Sequence, residues 1–290
     1  MFGRVFGIVK LREENMKRFL CSFVSLLLVL ICFVSCTPSE KKQNDPTIAP
    51  TSEPTAEPTP EATIEPMKTG WYEENYKNYY YLEDGTMATG KYEIDGKTHY
   101  FGLDGAEIIL VNPWNRKPDN FNPPLKEVKD STYVHMMCYD DLMQMLSDCV
   151  AAGHTYNIDY AYRSFNLQMS LFTGHVNDYM KAGMTREEAE KKTAAGTAVP
   201  GTSEHELGLA LDIVDKDHPG RNSAQANTDT QKWLMANSWK YGFILRYPKN
   251  KTDITGIIFE PWHYRYVGKQ VAKEIFESGL CLEEYLEQLK

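Results

Sequence analysis

The stretch TPSEKKQNDPTIAPTSEPTAEPTPEATIEPM, residues 37–67, contains no aromatic residue and keeps returning to Pro, Thr and Glu. Such a composition buries too little apolar surface to offset the entropy of ordering a chain, so it reads as a disordered linker. Any fold must therefore lie to one side of it. On the amino-terminal side Lys17 and Arg18 precede an uncharged run, Phe19 to Val34. That run is shorter than the roughly 20 residues a spanning helix needs, and its flanks are those of a secretory signal. The folded part is expected in residues 68–290.

The run ends in FVSC, which resembles a bacterial lipobox. The resemblance implies that residues 1–36 are a lipoprotein signal peptide and lipobox and that Cys36 is lipidated; Met1 to Asn15 adds nothing a signal needs, so Met1 and Met16 both stand as the start. An uncleaved membrane anchor is the alternative. Either way the rest of the chain is expected on the extracellular face of the cell membrane, in the cell-wall space. A net charge of −9 argues against nucleic acid as a partner, because that needs a basic face. Beyond residue 36 the cysteines are Cys138, Cys149 and Cys281. The first two fall on or beside one predicted helix, where eleven residues span about 16 Å, against a disulfide reach of about 7 Å. All three are expected to be free and buried.

Residues 68–109 hold a repeat of period 20. Thr69-Gly70 recurs as Thr89-Gly90, Tyr80-Tyr81 as Tyr100-Phe101, and Asp84-Gly85 as Asp104-Gly105. Each unit reads as an aromatic β-hairpin closed by its Asp-Gly turn. The units resemble choline-binding-type cell-wall-binding repeats, in which aromatics cage a quaternary ammonium. The second unit has Lys91-Tyr92 where that family has Gly-Trp, and two units are fewer than the three or so that a solenoid needs. A spacer packed on the next domain is the favoured reading; binding of cell-wall choline or teichoic acid is the other.

From residue 110 to 290 the texture is globular. YDDLMQMLSDCVAAG places Leu142, Met145, Leu146 and Cys149 on one helical face and stops at Gly153. YNIDYAY reads as a strand, residues 166–182 as a helix, and Thr185 to Glu188 as a capping box opening another to about Ala195. LALDIV reads as a strand, Asp229 to Tyr241 as a helix, and GIIFEPWHYRYV as two strand pieces broken by Pro261. Helices follow Gly268. Strands and helices do not alternate, so the expected class is α+β, a mixed or antiparallel sheet with flanking helices preceded by β-hairpin repeats.

Two segments carry the chemistry. In SEHELGLALD, Leu209, Leu211 and Ile213 share one strand face and Asp212 projects from the other, beside the small Ala210. Gly208 allows a bend that brings His205 to the side of Asp212. In EPWH, Pro261 has no N–H for a sheet ladder, and a bend there turns Glu260 and His263 into one cleft. His205, Asp212 and His263 then form a metal set of two imidazoles and one carboxylate, the donor pattern of a catalytic zinc. Glu260 would act as general base. Trp262 is read as core or supporting, and His99, His135, His154, His175 and His218 as surface or packing residues.

SEHELGLALD matches the SxHxxGxAxD signature, and EPWH the ExWH signature, of the bacterial VanY-type D-alanyl-D-alanine/L,D-carboxypeptidase zinc family. The resemblance extends over about residues 110–280, through LVNPWN, AYRSFNLQ, KYGFILRYPK and EPWHYRYVG. It implies a hedgehog/D,D-peptidase-like fold, Zn2+ as cofactor, His205, Asp212 and His263 as ligands, and Glu260 as the base. It adds Arg163 as a catalytic and substrate-binding residue, with Gln168 and Ser203 as substrate-binding residues. The implied activity is removal of the C-terminal D-alanine from peptidoglycan stem peptides. L,D-carboxypeptidase or endopeptidase action on the same polymer stays open, as does a non-catalytic wall-binding role.

Overall fold

The computed structural model describes residues 66–290. The expected signal peptide and lipobox with Cys36, and the expected linker up to residue 65, lie outside the described residues.

Two aromatic hairpins come first. Strand β1 (Gly70–Glu74) pairs with β2 (Lys77–Tyr81), and β3 (Gly90–Ile94) with β4 (Lys97–Phe101), both antiparallel. Their closing turns are not the expected Asp84-Gly85 and Asp104-Gly105. Asn75-Tyr76 and Asp95-Gly96 close them, and all four residues have positive φ, from 50° to 72°. Positive φ at both central positions gives the primed turn whose twist suits a two-residue hairpin. Asp84-Gly85 and Asp104-Gly105 instead turn the chain back after each hairpin, so that Met87 bridges Tyr81 and Glu107 bridges Phe101. Ile108 and Tyr100 pack with Val271, Ile275, Leu282 and Leu286 near the carboxyl terminus, so the second repeat rests on the domain that follows it.

Next, β5 (Leu125–Lys129) and β6 (Thr132–His135) form a hairpin that runs into helix α1 (Met136–Ala151). The α1 amino terminus is capped by His135 Nδ1, which accepts from the Met137 amide at 3.1 Å. Cys138, Leu142, Met145, Leu146 and Cys149 form its buried stripe. Strand β7 (Tyr156–Tyr160) leads to α2 (Phe165–Lys181), and α3 (Arg186–Ala194) opens with the expected Thr185–Glu188 capping box. A 3-10 turn, Glu204–Leu207, precedes β8 (Ala210–Asp215). Helix α4 (Asp229–Asn237) ends earlier than expected and tightens into a 3-10 turn, Ser238–Tyr241, before Gly242 at φ 85°. Strand β9 (Phe243–Leu245), the single turn α5 (Thr252–Thr255), β10 (His263–Tyr266), α6 (Lys269–Ser278) and α7 (Leu282–Gln288) complete the chain.

The central sheet runs β7-β8-β10-β9, and every pairing is antiparallel. Leu209, Leu211 and Ile213 face the main core with Leu142, Met145, Leu146, Leu234, Phe243 and Tyr264, as the alternation predicts. The expected strand before Pro261 is absent. The chain there makes a turn in which the His263 amide donates to the Glu260 carbonyl at 3.1 Å, and only His263–Tyr266 joins the sheet. The missing N–H of Pro261 removes the donor that a ladder would need at that point. Cys138, Cys149 and Cys281 are free and buried.

Candidate metal centre

The 3-10 turn holds His205 next to the sheet. Gly208 closes the turn at φ 70°, and a Cβ there would lie 3.0 Å from the His135 backbone nitrogen, so a side chain fits neither the angle nor the space. His205 Nδ1 donates to the Ala161 carbonyl at 2.7 Å. Its proton is thereby assigned, and Nε2 is left bare. That atom is buried without a hydrogen-bond partner and lies 3.3 Å from Asp212 Oδ1, close in distance but without hydrogen-bond geometry.

Asp212 on β8 stands directly opposite His263 on β10. His263 Nδ1 is 3.1 Å from Asp212 Oδ1, and its Nε2 is 3.4 Å from Glu204 Oε2. The two imidazoles meet edge to face with centroids 4.8 Å apart. One donor atom from each of His205, Asp212 and His263 lies within 4.8 Å of the others, and all three residues are buried. Glu260, at the turn before β10, brings Oε2 to 3.7 Å from His263 Nδ1. The four side chains expected to share a site do share one.

A cleft of about 290 Å³ opens onto this cluster. Arg163, Glu260 and Trp262 line it, together with Tyr160, His175 and Arg221. Arg163 is 9% exposed. Its amide donates to the His205 carbonyl at 3.1 Å, its guanidinium lies 5.3 Å from the Tyr160 ring, and its Nε is buried without a partner. A guanidinium so placed is suited to an incoming carboxylate or oxyanion. Gln168 and Ser203 are buried near the cleft without lining it; the Gln168 amide donates to the Ala198 carbonyl at 2.6 Å.

Three residues that the sequence reading passed over belong to the site. Arg221 reaches back from the loop after β8, with Nη1 3.4 Å from Asp212 Oδ2 and its guanidinium 4.4 Å from the Tyr160 ring. A basic residue in a Pro-Gly loop following a strand that carries a candidate ligand was the available signal. His175, read as a surface or packing residue, lines the cleft and contacts the Thr197 hydroxyl at 3.0 Å. Glu204 is 1% exposed and sits between Arg246 Nε at 2.7 Å and Arg265 Nη1 at 2.8 Å. Nothing in local periodicity marks it.

Burial pushes the Glu260 carboxyl up to about 8; His263 opposes the shift and nearby Asp212 adds to it. Burial pulls His205 down to about 4, helped by Arg163. Burial also works to lower His263, but its contacts with Asp212 and Glu204 outweigh this and hold it at about 9. The Asp212 carboxyl stays well below the usual range despite burial, because His205 and His263 favour its anion. Without a cation, a protonated His263 thus balances the surrounding carboxylates. Glu260 and His263 both keep protons in the fold that the unfolded chain releases, so each contributes stability that is lost as pH rises through its folded value. Metal-free protein is therefore expected to lose stability between about pH 6.5 and pH 9. A drop of more than about 3 °C in melting temperature, or about 1 kcal/mol, should appear when unfolding is followed in chelator. A flat or rising profile would contradict the assigned charges.

Comparison with known proteins bears on the same segments. The family model described as VanY, D-alanyl-D-alanine carboxypeptidase, matches residues 131–269, and a choline-binding repeat model matches residues 68–113. A D-alanyl-D-alanine carboxypeptidase of Enterococcus faecalis is 38% identical over 206 residues, covering 70% of this chain and 72% of its own length. The structure of a VanY D,D-pentapeptidase of a VanB-type vancomycin resistance cassette, in complex with Zn(II), is 37% identical; the match covers 61% of this chain and 97% of that one, with a TM-score of 0.56. The L,D-carboxypeptidase LdcB is 33% identical, with 70% and 95% covered and a TM-score of 0.55. With this identity over more than two thirds of both chains, and a family model that spans the segments building the cluster, the chain belongs to the VanY D-alanyl-D-alanine carboxypeptidase family.

Proposed function

We propose that this protein is a zinc-dependent D-alanyl-D-alanine carboxypeptidase that removes the C-terminal D-alanine of peptidoglycan stem peptides. The observation that carries the reading is the bare, buried Nε2 of His205 facing Asp212 and His263 beside a cleft. Two imidazoles and a carboxylate are a donor set suited to zinc, and three protein ligands leave a position for chemistry. His205, Asp212 and His263 would hold the ion. When bound, zinc supplies a Lewis acid for the scissile carbonyl and brings the pKa of a water to about 7.

The chain's own groups do the rest. Glu260 accepts the proton of the attacking water and returns it to the leaving amine of D-alanine. The balance is one water consumed, one peptide bond broken, and one free D-alanine with a shortened stem. A cation beside Glu260 favours its carboxylate form over the protonated form that burial alone promotes, which suits a base near neutral pH. Arg163 offers its unpaired fork to the terminal carboxylate or to the developing oxyanion. Gln168 and Ser203, which the family resemblance offers as substrate-binding residues, are buried without lining the cleft and carry no step here.

L,D-carboxypeptidase action is the second reading, favoured by the 33% identity to LdcB. Defined stem peptides separate the two. A pentapeptide stem incubated with the zinc-loaded protein is expected to lose the mass of one alanine, and chelator should abolish the loss. Cleavage confined to a tetrapeptide stem would establish the L,D activity instead, and turnover that survives full chelation would end the zinc reading.

Residues 1–36 act as signal peptide and lipobox and Cys36 as the lipid site, which leaves 37–67 as tether, 68–109 as repeats and 110–290 as the catalytic domain on the extracellular face of the cell membrane, in the cell-wall space. Support for a spacer role of the repeats comes from Trp71, whose ring packs on Tyr80, His99 and Phe101 at 4.9–5.8 Å.

A further inference from the structure

We propose that Glu204 is a positioning residue for His263, holding the ring in the tautomer that turns the Nδ1 lone pair toward Asp212 and the metal. The inference rests on the metal assignment above.

Glu204 immediately precedes His205 in the 3-10 turn, so the backbone that places one ligand also places this carboxylate. Its two oxygens have separate tasks. Oε1 accepts from Arg246 Nε at 2.7 Å and Arg265 Nη1 at 2.8 Å, while Oε2 faces His263 Nε2 at 3.4 Å. An ionised carboxylate only accepts hydrogen bonds, so the ring nitrogen facing it must carry the proton. A neutral His263 then has its lone pair on Nδ1, the atom 3.1 Å from Asp212 Oδ1. His205 is set the opposite way, with the Ala161 carbonyl taking the Nδ1 proton and freeing Nε2. Each imidazole thus has an acceptor fixed behind it, the arrangement that orients metal-binding histidines and raises their basicity.

Charge balance alone is not a sufficient account of Glu204. The two arginines are met by Glu204 Oε1 alone together with Glu283, which pairs with Arg246 at 2.8 and 2.6 Å, so charge balance makes no use of Oε2. The orientation of Oε2 toward His263 is an additional feature of this network.

Glu204→Gln tests the idea at constant volume. The amide oxygen must stay with the two arginines, which only donate, and the amide NH2 then faces His263 Nε2. That contact is satisfied only if Nε2 accepts, which moves the proton to Nδ1, the ligating atom. The expected result is a 10- to 100-fold loss of zinc affinity in competition with a chromogenic chelator. Long-range 1H–15N spectra of zinc-free protein, recorded above about pH 9 so that the His263 ring is neutral, are expected to show Nε2–H in wild type and Nδ1–H in the variant. Glu283→Gln, which touches Arg246 but not His263, should leave zinc affinity within about threefold of wild type. Retention of both affinity and the Nε2–H tautomer in Glu204→Gln overturns the proposal, and so does an equal loss of affinity in Glu283→Gln. If Glu204→Gln does not fold, Glu204→Asp carries the test: it keeps an acceptor-only group and should keep Nε2–H, and a switch to Nδ1–H refutes the idea. A wild type that binds no zinc points instead to failure of the metal assignment itself.

Discussion

Glu260→Gln is expected to keep zinc and lose turnover by about 10²–10⁴-fold, the contribution of a positioned general acid–base group. The substitution preserves volume in a residue that is 7% exposed, so packing around Trp262 and His263 is retained. An amide cannot take up the proton of the attacking water. Glu260 also lies outside the set of three mutually close donors, so its loss leaves the ligands in place. It even removes a like charge from the neighbourhood of Asp212, one of the groups that raise the Glu260 pKa. The loss should therefore appear in kcat with metal content unchanged. Near-normal turnover in zinc-loaded Glu260→Gln would remove Glu260 from the chemistry, and a parallel loss of zinc would recast it as a ligand.

His205→Ala is expected to fail differently, by losing the ion. Removing this ring takes away the one donor that has no other partner among the neighbouring side chains. It also leaves the Ala161 carbonyl without the contact at 2.7 Å that set the tautomer. The fall in zinc affinity should exceed the 10- to 100-fold typical of an outer-shell partner, with turnover at background when zinc is stoichiometric. Thermal unfolding gives an independent reading. At a zinc concentration of 100 Kd the wild type gains about 2.7 kcal/mol, and the variant should gain none under the same conditions. A variant still stabilised by zinc would place the ion elsewhere.

How much of this was legible beforehand differs from element to element. Helix α1 followed from its apolar period, and α3 from Thr185 and Glu188, because caps and stripes are local. The turns of the repeats were misplaced because Asp-Gly occurs at Asp84-Gly85 and Asp104-Gly105 as well as at Asp95-Gly96, and cross-strand pairing such as Trp71 with Tyr80 and Lys91 with Tyr100 decides which two residues close each hairpin. The strand expected before Pro261 failed for a related reason: apolar residues between Gly256 and Phe259 pack in a turn region as readily as in a sheet. Arg221, His175 and Glu204 were missed because each joins the site through a fold-level contact. Glu204 meets Arg246 and Arg265 across 42 and 61 residues of chain.

The order of residues alone determined the inventory: two imidazoles, two acids and a guanidinium, set in short segments whose periodicity and bends are local properties. Only the tertiary structure decided that they converge. His263 meets Asp212 across 51 residues because β8 and β10 pair in one register, with Leu211 and Tyr264 side by side in the core. A slip of one residue would carry His263 to the opposite face of the sheet, and that register is held by packing between distant segments, which no local pattern encodes.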